Sequence, residues 1–188
     1  MDSQLIKGAR TNGGVIITLE QAKFNSKIDY DYEDVLLQMY VDAIPDEFEN
    51  YTGNVILERE MNLYLTRWEP KFSLGVSPVQ SITSVKYYDE NGNQQTLAPE
   101  DYKLFQYDNG TGPRMLFKFE VEPTLVDREI EEYPIEIKFK AGYANANIPA
   151  DIKKAALLSF SNVETFREDM PIKYNRTIYS LLGPYKRY

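Results

Sequence analysis

The chain has 188 residues, 43% of them hydrophobic and 27% charged, with a formal net charge of -8, a balance that suits one soluble globular domain with a real core. It has no cysteine and no histidine, which removes disulfide frameworks, thiolate nucleophiles, imidazole metal sites and the usual neutral-pH proton shuttle, leaving only oxygen-rich sites for a metal. The negative balance opposes wrapping of DNA through its phosphates and remains compatible with a wall from which DNA must slide away rather than stick.

Residues 1–14 contain Gly8, Gly13 and Gly14 without periodicity and read as a flexible arm that orders in an assembly. Val15, Ile16 and Ile17 form a short extended run, and Thr18 is placed to cap a short helix beginning at Leu19. Residues 29–53 are the organising stretch. Leu37, Val41, Ile44, Phe48 and Tyr51 recur at helical spacing, so they form one apolar stripe that must be covered. Asp31 is the expected N-cap, with Glu33 and Asp34 in the first turn, where the helix dipole favours negative charge. Pro45 cannot donate to the Val41 carbonyl and predicts a kink or local break over 41–45. Gly53 suits a left-handed C-terminal turn.

From residue 54 the period changes to two. Val55, Leu57, Met61, Leu63 and Leu65 share a strand face interrupted by Arg59, as expected when one side meets a core. Residues 79–88 give a second strand, and the Asn91-Gly92 pair marks a hairpin returning over 94–97. Another short strand follows over 102–106. Met115, Phe117, Phe119 and Val121 alternate with Leu116, Lys118 and Glu120, and Ile135, Ile137 and Phe139 with Glu136, Lys138 and Lys140. Both runs read as strands of an antiparallel or mixed sheet, with apolar faces available to helices. Between them, Glu120, Glu122, Asp127, Glu129, Glu131 and Glu132 face only Arg128. Burying that charge would cost on the order of several kcal/mol per ion, so a protruding loop is expected.

Residues 149–168 form the second substantial helix, with Ile152, Ala156, Val163 and Phe166 on one side and Ser159 between them. Small residues at 155, 156 and 159 permit close approach to the stripe of the 29–53 helix. Ile178, Leu181 and Leu182 then make a short amphipathic run, followed by an aromatic, basic tail that packs locally or on a neighbouring copy. Residues 20–60 are rich in acid, whereas 173–188 carry Lys173, Arg176, Lys186 and Arg187 and no acid. A contact between such regions, within or between subunits, would be favourable and salt-sensitive.

No glycine-rich phosphate loop, calcium loop or nucleophile elbow is present, and adjacent acids such as Asp46-Glu47 and Glu100-Asp101 read as solvated. The expectation is a non-enzymatic protein without cofactor, metal site or membrane span. The expected fold class is α+β: a mainly helical body with a small antiparallel or mixed sheet and extended terminal segments.

The order of several segments resembles the head-tail connector, or adaptor, proteins of tailed bacteriophages. The resemblance rests on Thr18-Leu19-Glu20-Gln21-Ala22-Lys23, residues 28–34, Tyr51-Thr52-Gly53, residues 77–88, Ala141-Gly142-Tyr143, and the helix opening Ile148-Pro149-Ala150-Asp151 with its late Glu168. It implies a subunit of a ring of about twelve identical copies, closed by heterologous contacts. Such a ring sits below the portal protein, extends the channel for genomic DNA without reading its sequence, and supports a downstream neck or tail-completion protein. The implied setting is the host cytoplasm during assembly and then the virion neck.

The resemblance divides the chain into an arm over 1–14, one connector-like domain over 15–172 and a docking segment over 173–188. It makes Tyr174, Arg176, Tyr179, Leu181, Leu182, Tyr185, Lys186, Arg187 and Tyr188 the first choice for portal or neighbour docking. The acidic residues of 120–134 become a second surface, facing the channel or a partner. Two other readings stand: another ring-forming neck or tail-completion protein, and a carbohydrate-binding module exploiting the tyrosines.

Overall fold

The computed structural model describes residues 3–11, 14–108, 113–127, 130–165 and 175–186. The chain gathers into two compact units, one formed by Met1–Arg10 with Glu58–Gly142 and the other by Thr11–Leu57 with Tyr143–Tyr188.

The second unit is helical. Helix α1, Leu19–Ser26, begins with a capping box in which the Thr18 hydroxyl accepts from the Gln21 N–H and the Gln21 side chain accepts from the Thr18 N–H. Helix α2, Asp34–Thr52, buries Leu37, Val41, Ile44 and Phe48 as the spacing requires, with Tyr51 half-buried. They share a core with Ile152, Ala155, Ala156 and Phe160 of helix α3, Ala150–Thr165, and with Ile178 and Leu182 of helix α4, Arg176–Leu182. The small residues of α3 allow the close approach, and Ser159 donates to the Glu47 carboxylate across it at 3.1 Å. Phe166 lies outside the described residues.

Two features of α2 differ from expectation. Its N-cap is Glu33, which makes no side-chain capping bond, because the Asp31 carboxylate is engaged by Lys23 instead. Of the kink or local break expected at Pro45, the break does not occur: the helix is continuous through it. The proline is itself buried, so its ring supplies packing where its missing N–H forfeits one bond. Gly53 ends the helix at φ 69° as expected, its N–H returning to the Glu49 carbonyl at 2.9 Å.

The strand unit holds two antiparallel sheets. The larger has the order β1-β2-β8-β4-β5, formed by Ser3–Arg10, Arg59–Leu65, Ile135–Ala141, Val79–Tyr88 and Gln94–Thr96 respectively; the smaller has the order β3-β7-β6, formed by Lys71–Ser73, Pro113–Phe119 and Tyr102–Asp108. Register places Met61, Leu63 and Leu65 opposite Phe139, Ile137 and Ile135, a buried apolar block of the kind that fixes strand pairing. With 37% helix and 31% strand, the α+β fold is nearly balanced rather than mainly helical.

Three expectations about strands are corrected. The periodic run 54–65 is two pieces: Ile56 and Leu57 belong to the helical core, and the strand proper starts at Arg59. In the strand unit Phe117 and Phe119 of β7 and Ile135, Ile137 and Phe139 of β8 are buried as the alternation requires. There, Trp68 stands edge-on to Tyr87 of β4 and to Phe119 of β7, joining the two sheets through aromatic contacts. Val121 leaves the buried face and is exposed, because β7 ends at Phe119 and the Glu120 N–H turns to the Asp101 carbonyl. Residues 3–10, read as an arm, form edge strand β1, which pairs with β2 through backbone hydrogen bonds that need no side-chain alternation. A methyl group added at Gly8 would lie 2.6 Å from the Glu60 carbonyl oxygen, so this pairing requires glycine.

Candidate docking surface

The corner between α1 and α2 is set by charge. Lys23 donates to the carboxylates of Asp31 and Asp34, at 2.5 and 2.6 Å. Those two bonds, Asp31 first, hold the lysine above its ordinary pKa. The clamp fastens the end of α1 to the approach and first turn of α2, and within that approach Tyr30 and Tyr32 stack at 4.4 Å.

Around this clamp lies a group of large apolar side chains in water. Phe24 is 88% exposed, Val35 83%, Tyr32 81%, Met39 63% and Leu36 38%. Val35 and Met39 occupy successive turns of α2, off the core stripe. The first turns of α2 are therefore apolar on two sides, and among the described residues only the Leu37–Val41 side is buried. Large exposed apolar side chains gathered in one stretch of chain mark a candidate interaction surface. Asp29, Asp31, Asp42 and Asp46 are exposed in the same stretch, against exposed Lys27 and the Lys23 that pairs with Asp31, so the surroundings are on balance acidic.

At the other end of α2 sits the C-terminal segment. Asn175 caps α4 by accepting from the Thr177 N–H at 3.1 Å. Tyr179 meets Tyr51 edge-on at 4.6 Å, the Lys186 ammonium lies 4.7 Å over the Tyr51 ring, and Asn54 donates to the Tyr185 carbonyl at 2.7 Å. Of the nine residues expected to dock on a neighbour, Leu182 is fully buried in its own core. Leu181, Tyr179, Tyr185 and Lys186 are half-buried, and Arg176 is exposed. Burial raises the Tyr185 phenol pKa, with Asp151 adding to it. Tyr174, Arg187 and Tyr188 lie outside the described residues.

The acidic stretch 120–134 belongs to the strand unit and is anchored at several points. Glu120 pairs with Lys118 at 2.8 Å and Lys103 at 3.2 Å, which holds its carboxyl below the ordinary value, Lys118 contributing most. The Pro123 carbonyl accepts from the Trp68 indole at 2.6 Å, and the buried Val126 donates its N–H to the Tyr88 carbonyl at 3.1 Å. The expected protruding loop is thus pinned at 120, 123 and 126 by the Glu120 ion pairs and two hydrogen bonds made by its backbone. Most of its other described acids stay in water, where no burial penalty arises. Glu122, Asp127 and Glu132 are exposed and Glu131 is half-buried; Glu129 lies outside the described residues. Among the described residues no group of acids is arranged to hold a metal ion, and no helix is long and apolar enough to cross a membrane.

Sequence reading thus found the core stripe of α2 but missed the second apolar side. The signal was present: Phe24, Val35, Leu36 and Met39 interrupt the most acidic part of the chain without joining the stripe.

No family model and no curated relative matches the chain. Solved structures do. A chain in the neck of an empty gene transfer agent particle, computed with C6 symmetry, superposes with a TM-score of 0.76 at 19% identity, covering 98% of this chain and 96% of that one. A chain of the native gene transfer agent virion gives 0.74 at 18%, covering 98% and 95%. One in the native neck computed with C12 symmetry gives 0.70 at 18%, covering 98% and 96%. At these identities the likeness shows a shared fold over essentially the full length of both chains.

Proposed function

We propose that this chain is a structural subunit of the neck of a tailed phage or phage-like particle, acting as a head-tail connector. Identical copies form a ring below the portal, extend the channel for the genome and offer a platform to the next neck or tail-completion protein. The observation that carries this reading is the end-to-end match, 98% of this chain against 96% of a neck chain. The segment order that resembles connector proteins supports it independently. The acidic balance fits a channel component, because a wall with few cations does not trap phosphates. The work of such a subunit is assembly, in which a modest free energy per contact is used twice by every copy in a closed ring.

Removing the gene from the producing particle tests the role. The expected result is filled or leaking heads separated from finished tails, with normal particles restored by the wild-type chain. Tailed, infectious or transfer-competent particles formed in its absence would overturn the reading.

A further inference from the structure

We infer that the exposed apolar corner of α1 and α2 is covered by the C-terminal segment of a second copy of this chain, an inference that rests on the neck-subunit reading above. Three observations specify that occupant. The corner combines exposed Phe24, Tyr32, Val35, Leu36 and Met39 with surroundings that are on balance acidic, so its partner must bring apolar surface and cations. The C-terminal segment brings both: half-buried Tyr179, Leu181, Tyr185 and Lys186 beside exposed Arg176, in a stretch with no acid from residue 173 onward. The two surfaces also sit at opposite ends of one rigid element. Tyr179 and Lys186 are fixed on Tyr51, which lies about 18 Å from Met39 and about 24 Å from Val35 at the rise of an α-helix.

Complementary surfaces separated along a helix do not meet within one chain. They pair head to tail between copies, which is the heterologous contact that closes a ring. Apolar area supplies the affinity, and the acidic and basic surroundings set the register and exclude a corner-to-corner pairing, in which carboxylates would face carboxylates.

The absence of cysteine makes the pairing directly testable. In particles assembled with a Met39→Cys, Arg176→Cys chain, a short thiol-specific cross-linker should give a ladder of covalent multimers from isolated necks. Either single variant alone should give monomer, and a mixture of the two should give dimers only. A Val35→Glu, Met39→Glu chain should fold normally by circular dichroism yet be lost from necks, its incorporation falling about tenfold or more, as expected for a removed hot spot. Dimers from Met39→Cys alone, no ladder from necks that contain the chain, or full incorporation of the glutamate variant would each overturn the inference while leaving the neck role standing. Necks without the chain would overturn the neck role and the inference with it.

Discussion

Glu49 shows how one side chain can decide a junction. It is buried in α2, and its carboxylate accepts from the Ile56 and Leu57 N–H groups at 3.1 and 3.3 Å, where the chain leaves the helical unit. Replacing it with leucine leaves two buried donors without that acceptor, so Glu49→Leu should lose on the order of 2–4 kcal/mol in urea unfolding, and Glu49→Gln should lose less. Asp89 does comparable work in the β4–β5 hairpin, accepting from the Asn91 and Asn93 N–H groups and from Gln95. These bonds, Gln95 first, hold its carboxyl below the ordinary value. Its contribution to stability is therefore complete above the unfolded aspartate pKa of about 3.9 and is lost as pH falls through the lower folded value. The difference in melting temperature between wild type and Asp89→Asn should be flat above that window and change within it. A pH-independent difference would show that the carboxylate charge is not what organises the turn.

At the scale of elements, the helices and strands followed from pattern wherever one face met a core. The α2 stripe, the 79–88 strand and the Asn-Gly hairpin were legible because burial imposes a period. Strand β1 was not, because an edge strand held by backbone bonds leaves little side-chain signature. Division of the 54–65 run between two units was also hidden, since a period of two looks the same on either side of Glu58. Within the C-terminal segment, Leu182, read as a docking residue, is buried in the core together with Ile178. Deleting residues 175–188 should accordingly destabilise the helical unit rather than merely detach a tail. Two buried aliphatic side chains are worth about 3–6 kcal/mol as an upper estimate, readable as an earlier urea midpoint. An unchanged midpoint would mean that α4 contributes nothing to the unit's stability.

At the scale of the molecule, the proposed role rests on the order of weak segments in the sequence and on the fold likeness rather than on a chemical motif. The corner at Phe24, Val35 and Met39 was missed for a physical reason. An apolar surface left open has the same composition as a core stripe, and only the structure shows which side of α2 the chain itself covers. The most direct measurement is cryo-electron microscopy of the neck in particles carrying this chain. The account predicts a ring of identical copies immediately below the portal, with this chain's two units accounting for its density and the α1–α2 corner of each copy against the C-terminal segment of the next. A portal-to-tail junction whose density leaves no place for this fold would contradict it.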